Sequence, residues 1–564
     1  MNVITKTRLL LHFLNWRRTW DRRNTHYRYA VSGNPKFMGP REAVGLIRDG
    51  AVVAGTGLAG NQRASILWWA LREVYEETKH PANLTVLCVG GHGGRGGVPG
   101  TIEEIGVEGL CTRFFTGHTE TFKSFLRLAD AGKLELQCIP QGTFALLIAS
   151  QAEGRNEWIT ETGFGTFIDP IEGRGTPVLG NGPQFVERLN GKLRYTCPPI
   201  EVAIFNAPAA DRLGNIYARG CSMIGESIEI ARAAKRNGGK VIANVGLVVN
   251  EGYGEVLLPA GEVDAVVVYP GTEQTASVPH RKAWKFLTLE SNLPAVEGVK
   301  RVAYVNRLLG ITPKRNAADV ALARLAGIIF TQQARPGMSV DIGVGLPEEV
   351  SRLLTECGIG SQITVMNESG VFGGLAAPGI FFGAAVNPTE IVSSAEAFRR
   401  IYKNLDSVIL GVLEADSAGN VNVSKRGKGA INYVGPGGFI DLTTCAKLVV
   451  FCGSWMAKGE VAVQDGQMRV VKPGVPKFIE QVSEITFNGQ QALRRGQRVF
   501  YVTHVGAFQL TPRGMELIYV MPGIDIQKDI LDAAPMRILL PESGAPQTAP
   551  ASVLTGQGYT LSFQ

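Results

Sequence analysis

The chain has 564 residues, 45% of them apolar and 19% charged, with a formal net charge of +7. That length exceeds what one hydrophobic core supports, so two or more domains are expected, and the composition excludes a disordered chain. No apolar run reaches the ~18 residues of a membrane span, and the modest charge gives no reason to expect a nucleic-acid or membrane partner.

Residues 1–39 form a basic arm whose only acid is Asp21. Three readings of it stay open: an organelle transit peptide, a basic surface arm, or a natural start at Met38, where MGPREAVGLIRDGAVVAGTG already looks like the opening of a domain. The expected location is cytoplasmic, or mitochondrial if the arm is a presequence.

Beyond the arm, strands and helices alternate. AVVAGTG is a strand into a turn, NQRASILWWALREVYEETKH has helical periodicity, and LTVLCVGG is the next strand. VAIFNAPA, KVIANVGLVV, AVVVY, SVDIGVG, SVILGVLEAD and KLVVFCG follow as short β-branched runs bounded by Gly, Asp or Pro. This pattern predicts an α/β fold with mainly parallel sheets covered by helices on both faces. The eight cysteines include no CxxC pair and no metal spacing, and Cys88, Cys138 and Cys452 lie in apolar strands. They read as buried thiols of a reducing compartment.

Internal echoes divide the chain. Ala210–Ile216 (ADRLGNI) recurs as Ala415–Val421 (ADSAGNV), each after an apolar strand, and the strand from Gly239 recurs from Ala446. A looser echo pairs the segment from Asp49 with that from Pro336. One such match is unremarkable, but three in the same order predict two related open α/β domains, even though ADxxGN by itself is only a favourable turn. The expected domains are residues 40–315, including a crossing segment, and 316–540, followed by a tail over 541–564.

Several chemistries fail on their motifs. GTGLAG, Gly55 to Gly60, fits the dinucleotide glycine pattern, but the next strand ends in Gly90-Gly91-His92 where an acid should hold the ribose. The loop keeps only the possibility of an anionic or bulky ligand. There is no GxSxG elbow and no phosphate loop. His12, His26, His80, His92, His118, His280 and His504 make no paired ligand spacing, so no metal is expected. His92 and His118 lie in glycine-rich turns and are candidates to line a site, with a surface turn histidine the commoner reading.

The segment MNESGVFGG, Met366 to Gly374, remains. The preceding GSQITVMN reads as a strand, so Glu368 sits where a strand ends, before Ser369-Gly370 and Gly373-Gly374. Glycines allow a backbone to approach a large ligand, so Glu368 is a candidate covalent nucleophile. A solvated strand-end carboxylate is the plainer alternative.

Ordered blocks carry a family resemblance. IPQGT (139–143), ETGFGTFIDP (161–170), ADRLGNI and VDAVVVYPG lie in the first half; PGMSVDIGVGLPEEV, ESGVFGG, ADSAGNVNVS and VGPGGFIDLTTCAKLVVFCG lie in the second, with FQLTPRGMELIYVMPGIDIQKDIL near the end. Together they resemble the class I coenzyme A-transferases of the fused single-chain type, in particular the acetate or propionate branch. The likeness runs from about Pro40 to Ala534.

The resemblance implies a transfer of coenzyme A from an acyl-CoA to a free short-chain carboxylate by a ping-pong route. Glu368 would be the nucleophile that carries a glutamyl-CoA thioester. Gln141, from the PQGT block, and the N–H of Gly438, from GGFID, would be oxyanion donors, with the site between the two domains. Gln141 as a turn cap and Gly438 as a turn glycine are the bland alternatives. Gly343, Gly345, Gly373, Gly374 and Gly437 are expected to face the CoA arm or the substrate. Coenzyme A would be a substrate, with no metal or redox cofactor, and the expected assembly is a homo-oligomer, with a tetramer as the guess. One departure is that Met366-Asn367 separates Val365 from the glutamate. Glu348, Glu349 and Glu356 lie nearby without following glycines. An acyl-CoA hydrolase on the same fold is the alternative, and a non-catalytic metabolite sensor is a more distant one. The acyl group itself is not legible.

Overall fold

A computed structural model of the chain describes all residues except 30, 32, 94–96, 181, 273–283, 312–313 and 543. His280 and the start of the crossing segment therefore lie outside the described residues. Two large sheets carry the fold. In the first, the strands Ala265–Val268, Lys240–Val249, Val202–Asp211, Val52–Gly55, Leu84–Cys88, Cys111–Thr116 and Glu135–Cys138 lie side by side in that order and run parallel. Two short strands, Ile216–Tyr217 and Val256–Leu258, join antiparallel beyond the end of Val52–Gly55. In the second sheet, Thr364–Val365, Ser339–Ile342, Ser407–Gly411, Leu448–Cys452 and Arg498–Val502 run parallel. Gly506–Thr511 and Gly514–Val520 then add antiparallel strands, and Gln547–Thr548 closes the edge. The α/β class with mainly parallel sheets is as the alternation predicts.

Composition explains the layering. Val202–Asp211, Leu84–Cys88 and Leu448–Cys452 are buried along their whole length. Such continuous apolar strands need both faces covered, as parallel sheets are. Helices supply the cover. Ser65–Thr78 buries its first seven residues, and Ala317–Gln333 starts on a capping box in which Asn316 and Asp319 bond each other's backbone N–H. The helix Gln141–Ala152 is buried from Gln141 to Gln151, because it packs between Ser227–Arg236, Ser394–Asn404 and Phe439–Cys445. Two of those three belong to the second half, so this helix lies at the junction.

The sequence echoes occupy matching places. Val52–Gly55, Val202–Asp211 and Lys240–Val249 are consecutive parallel neighbours, and so are Ser339–Ile342, Ser407–Gly411 and Leu448–Cys452. The next strand outward is Leu84–Cys88 in one sheet and Thr364–Val365 in the other, with Thr85 opposite Val52 and Thr364 opposite Ser339. Both ADxxGN segments are the same turn. Asp211 accepts from the N–H groups of Leu213, Gly214 and Asn215, and Asp416 from those of Ala418 and Asn420.

The N-terminal segment forms a helix, Val3–Thr19, capped by Asn2. Leu9, Phe13, Trp16 and Trp20 bury against a satellite core containing Trp284, Phe286, Ile380 and Phe381. The Met1 amino group pairs with Glu297 at 3.2 Å. At the other end, Tyr559 donates its hydroxyl to Arg324 O on the helix Ala317–Gln333. All eight cysteines are free, and six are buried. Among the described residues no helix is long and apolar enough to cross a membrane.

Candidate active site

Glu368 stands just past the edge strand of the second sheet. Met366 still pairs there, its N–H donating to Val340 O at 2.8 Å. Asn367 then turns the chain: its side-chain oxygen accepts from Ser369 N–H at 3.1 Å and lies 2.9 Å from Ser369 Oγ, which donates to Gly383 O at 2.6 Å. Gly370 completes the turn with φ +82°, and a β-carbon there would overlap Val392 O. The two residues that separate Val365 from the glutamate are thus one more sheet pair and the turn that presents Glu368.

The glutamate is half-buried as a residue, yet its Oε2 is shut off from solvent and has no hydrogen-bond partner among the described residues. Burial pushes its carboxyl up to about 8, with repulsion from Asp341 and Asp441 adding to the effect. Burial alone pushes Asp341 up to about 7. A buried oxygen without a partner is costly.

Gly438 lies directly against that oxygen. A β-carbon built on Gly438 would overlap Glu368 Oε2 and come 3.4 Å from Phe398 Cζ. Gly437, with φ +53°, accepts the Gln141 N–H at 2.9 Å and donates its own N–H to Gly117 O at 2.8 Å. The Gln141 side-chain oxygen is 3.8 Å from where a β-carbon of Gly437 would stand. The structure therefore sets Gly438 against Glu368, and the first residue of the helix Gln141–Ala152 against Gly437 next to it.

The other glycines are placed differently. Gly343 donates to Ile409 O at 2.9 Å, and Gly345, φ +91°, opens the helix Leu346–Glu356 with open space around it. Gly373 and Gly374 are exposed turn residues, where β-carbons would overlap Thr389 and Val386 O; their close neighbours are on segment 386–389 rather than at the Glu368 carboxylate. Glu349 and Glu356 pair with Arg352 on their helix. The Gly55–Gly60 loop packs on the next strand's turn, with Ala59 N–H donating to Gly91 O at 3.0 Å. His92 is fully buried there, and burial together with Arg63 lowers it to about 3, so it is neutral. His118 packs over Gly91.

Sequence reasoning missed Asp341, Asp441 and Asn367. Asp341 had a signal, as the one charged residue in an apolar strand. Asp441 sits in the GGFID block itself.

Comparison with known proteins gives the family. The chain is 34% identical over 515 residues to the caffeate CoA-transferase of Acetobacterium woodii, covering 88% of this chain and 93% of that protein. It is 30% identical over 514 residues to the acetate CoA-transferase YdiF of Escherichia coli K12, covering 89% and 92%. The chain belongs to the class I CoA-transferases. This CoA-transferase also superposes on the crystal structure of the acyl-CoA transferase YdiF of E. coli O157:H7 in a thioester complex with CoA. That match has a TM-score of 0.78 at 26% identity and covers 93% of this chain and 97% of the other. No family model matches the chain. The resemblance read from the ordered blocks is thereby borne out for the fold, the family and the enzyme class.

Proposed function

We propose that this CoA-transferase moves coenzyme A between short-chain carboxylates of the acetate or propionate kind through a glutamyl-CoA thioester on Glu368. The observation that carries the reading is the buried Oε2 of Glu368, without a hydrogen-bond partner among the described residues and set against Gly438, whose neighbour Gly437 accepts the Gln141 N–H. In the first step the Glu368 carboxylate attacks the thioester carbonyl of an acyl-CoA. The C–S bond breaks, the CoA thiolate leaves, and an acyl-glutamyl anhydride remains. The thiolate then attacks the glutamyl carbonyl, forming the glutamyl-CoA thioester and releasing the acyl group as a carboxylate. The acceptor acid runs both steps in reverse. No water enters the balance, so the thioester energy is conserved.

Each attack makes an oxyanion. The Gly438 N–H and the Gln141 side-chain amide are the donors proposed for it, and losing one such donor costs about 3 kcal/mol. A glutamate suits the task because only an acyl anhydride lets CoA change from one carboxylate to another; a serine ester does not. The relatives named for caffeate and for acetate handle acids of different size, so the acceptor is a matter for assay.

Incubation with acetyl-CoA or propionyl-CoA and no acceptor is expected to add the mass of CoA to the tryptic peptide containing Glu368, and acetate then discharges it. An adduct on another residue overturns the assignment. An adduct that water discharges as fast as acetate does makes the enzyme a hydrolase.

A further inference from the structure

The helix Gln141–Ala152 cannot cap itself. Its N-cap residue is Pro140, which offers no side-chain acceptor, so the first N–H groups of the helix need partners from elsewhere. They find them about 300 residues away. Asp441 Oδ2 accepts the Gly142 N–H at 2.9 Å, and Oδ1 accepts the Thr143 N–H at 2.7 Å. The same Oδ1 also takes the Thr143 hydroxyl at 2.9 Å and the Tyr402 hydroxyl at 2.8 Å. Asp441 is fully buried, with no exposure to solvent, and all four donors converge on its two oxygens.

Its position gives this cap a second consequence. Asp441 lies three residues after Gly438, in the first turn of the helix Phe439–Cys445. One carboxylate therefore ties the helix start that carries Gln141 to the turn that carries Gly438. The fit is close on every side. A β-carbon on Gly142 would overlap the Phe398 ring and come 2.8 Å from Asp441 Cγ, and Phe398 also backs Gly438. The Gln141 N–H donates to Gly437 O alongside. The two halves of the enzyme meet on Asp441 with no slack.

We infer that Asp441 is the positioning residue of the oxyanion site, holding Gln141 and Gly438 at a fixed separation across the two halves without itself touching substrate. The inference rests on the roles proposed above for those two donors. A carboxylate is required because both oxygens must accept. Asparagine would turn an NH2 group toward either the Gly142 N–H or the three donors on the other side, and one contact would become donor against donor.

The test is a double-mutant cycle on the full-length enzyme, read as the single-turnover rate of CoA-adduct formation from propionyl-CoA, with CoA affinity measured separately. Asp441→Asn is expected to slow adduct formation by ~10- to 100-fold, since small misplacements of catalytic groups have effects of that size. CoA affinity should stay near that of the parent, while the melting temperature falls with the lost contact at the helix cap. In a Gln141→Ala background the same substitution should cost clearly less than it does alone, because residues acting as one unit are not additive. Thr143→Val removes the hydroxyl donor to Asp441, together with its 3.4 Å contact to the Tyr402 hydroxyl, and should give a smaller drop with the same coupling; it carries the test if Asp441→Asn folds poorly. Full multiplication of the two effects, or an unchanged rate in Asp441→Asn while Gln141→Ala is slow, overturns the positioning role alone. A wild-type rate in Gln141→Ala overturns the oxyanion reading and this inference with it.

Discussion

Gly438 stands so close to Glu368 that a single β-carbon on it would occupy the space of Glu368 Oε2. The φ of Gly438 is −84°, so alanine would suit the backbone there. The restriction comes from the carboxylate alone.

Gly438→Ala is therefore expected to remove adduct formation, by ~100-fold or more, while the protein folds normally. The new methyl must displace the glutamate from its place beside the proposed donors, and near-attack geometry does not survive such a shift. Single-turnover kinetics and a melting curve check both halves of the statement. A rate within threefold of the parent would remove Gly438 from the site.

Glu368→Gln should abolish transfer and stabilise the protein in a pH-dependent way. The folded-state value of Glu368 is raised to about 8 from an ordinary 4.5. Between those values the folded chain holds more protons at this group than the unfolded chain does. The stability contribution of Glu368 is therefore fully present below about 4.5 and lost as pH rises through about 8. Glutamine does not titrate, so the variant should melt higher than the parent by an amount that grows from pH 5 to pH 9, on the order of a few degrees at the upper end. Equal melting temperatures at both pH values would contradict the strained ionisation of this carboxylate.

Asp341→Asn should shift the pH profile of the first half-reaction. Adduct formation requires ionised Glu368, so its rate should climb with pH and level off above about 8. Asp341 and Asp441 both raise Glu368 by repulsion, and Asp441 remains in the variant. Removing the Asp341 charge should move the midpoint to lower pH, with burial still holding it above the ordinary value. A midpoint that stays put would mean that the two carboxyls do not interact.

Truncation to Met38 should leave the proposed site intact and expose an apolar surface. Leu9, Phe13, Trp16 and Trp20 cover Trp284, Phe286 and Phe381. Arg23 and Thr25 bond Glu73 at 2.7 and 2.5 Å. Lower soluble yield and a lower melting temperature are expected, scored by size-exclusion chromatography and thermal melting. A truncated enzyme with parental yield and melting would show that this cover is dispensable.

Much of this was legible in the chain because it is coded locally. β-Branched runs between glycines marked the parallel strands, and Asp211 and Asp416 announced their turns by residue type. Glu368 stood out because a carboxylate before glycines at a strand end is locally unusual. The cap of the helix Gln141–Ala152 was not legible, since Pro140 gives no hint that its partner lies 299 residues from Gly142. Hydrogen bonds between distant segments leave no periodic trace. Gly373 and Gly374 show the limit from the other side: a glycine required by a tight turn looks the same in sequence as one required by a ligand.

The shared strand order of the two sheets aligns Thr85–Gly91, TVLCVGG, with Thr364–Gly370, TVMNESG. Val89 is then the counterpart of Glu368. Valine has nothing to attack with, so the proposed nucleophile has no counterpart in the first sheet. Val89 is nonetheless connected to that centre. Its carbonyl receives the Gly117 N–H at 3.1 Å, and the Gly117 carbonyl receives the N–H of Gly437 at 2.8 Å. Of two strand ends in matching positions, one presents the carboxylate and the other is the footing of the turn that faces it.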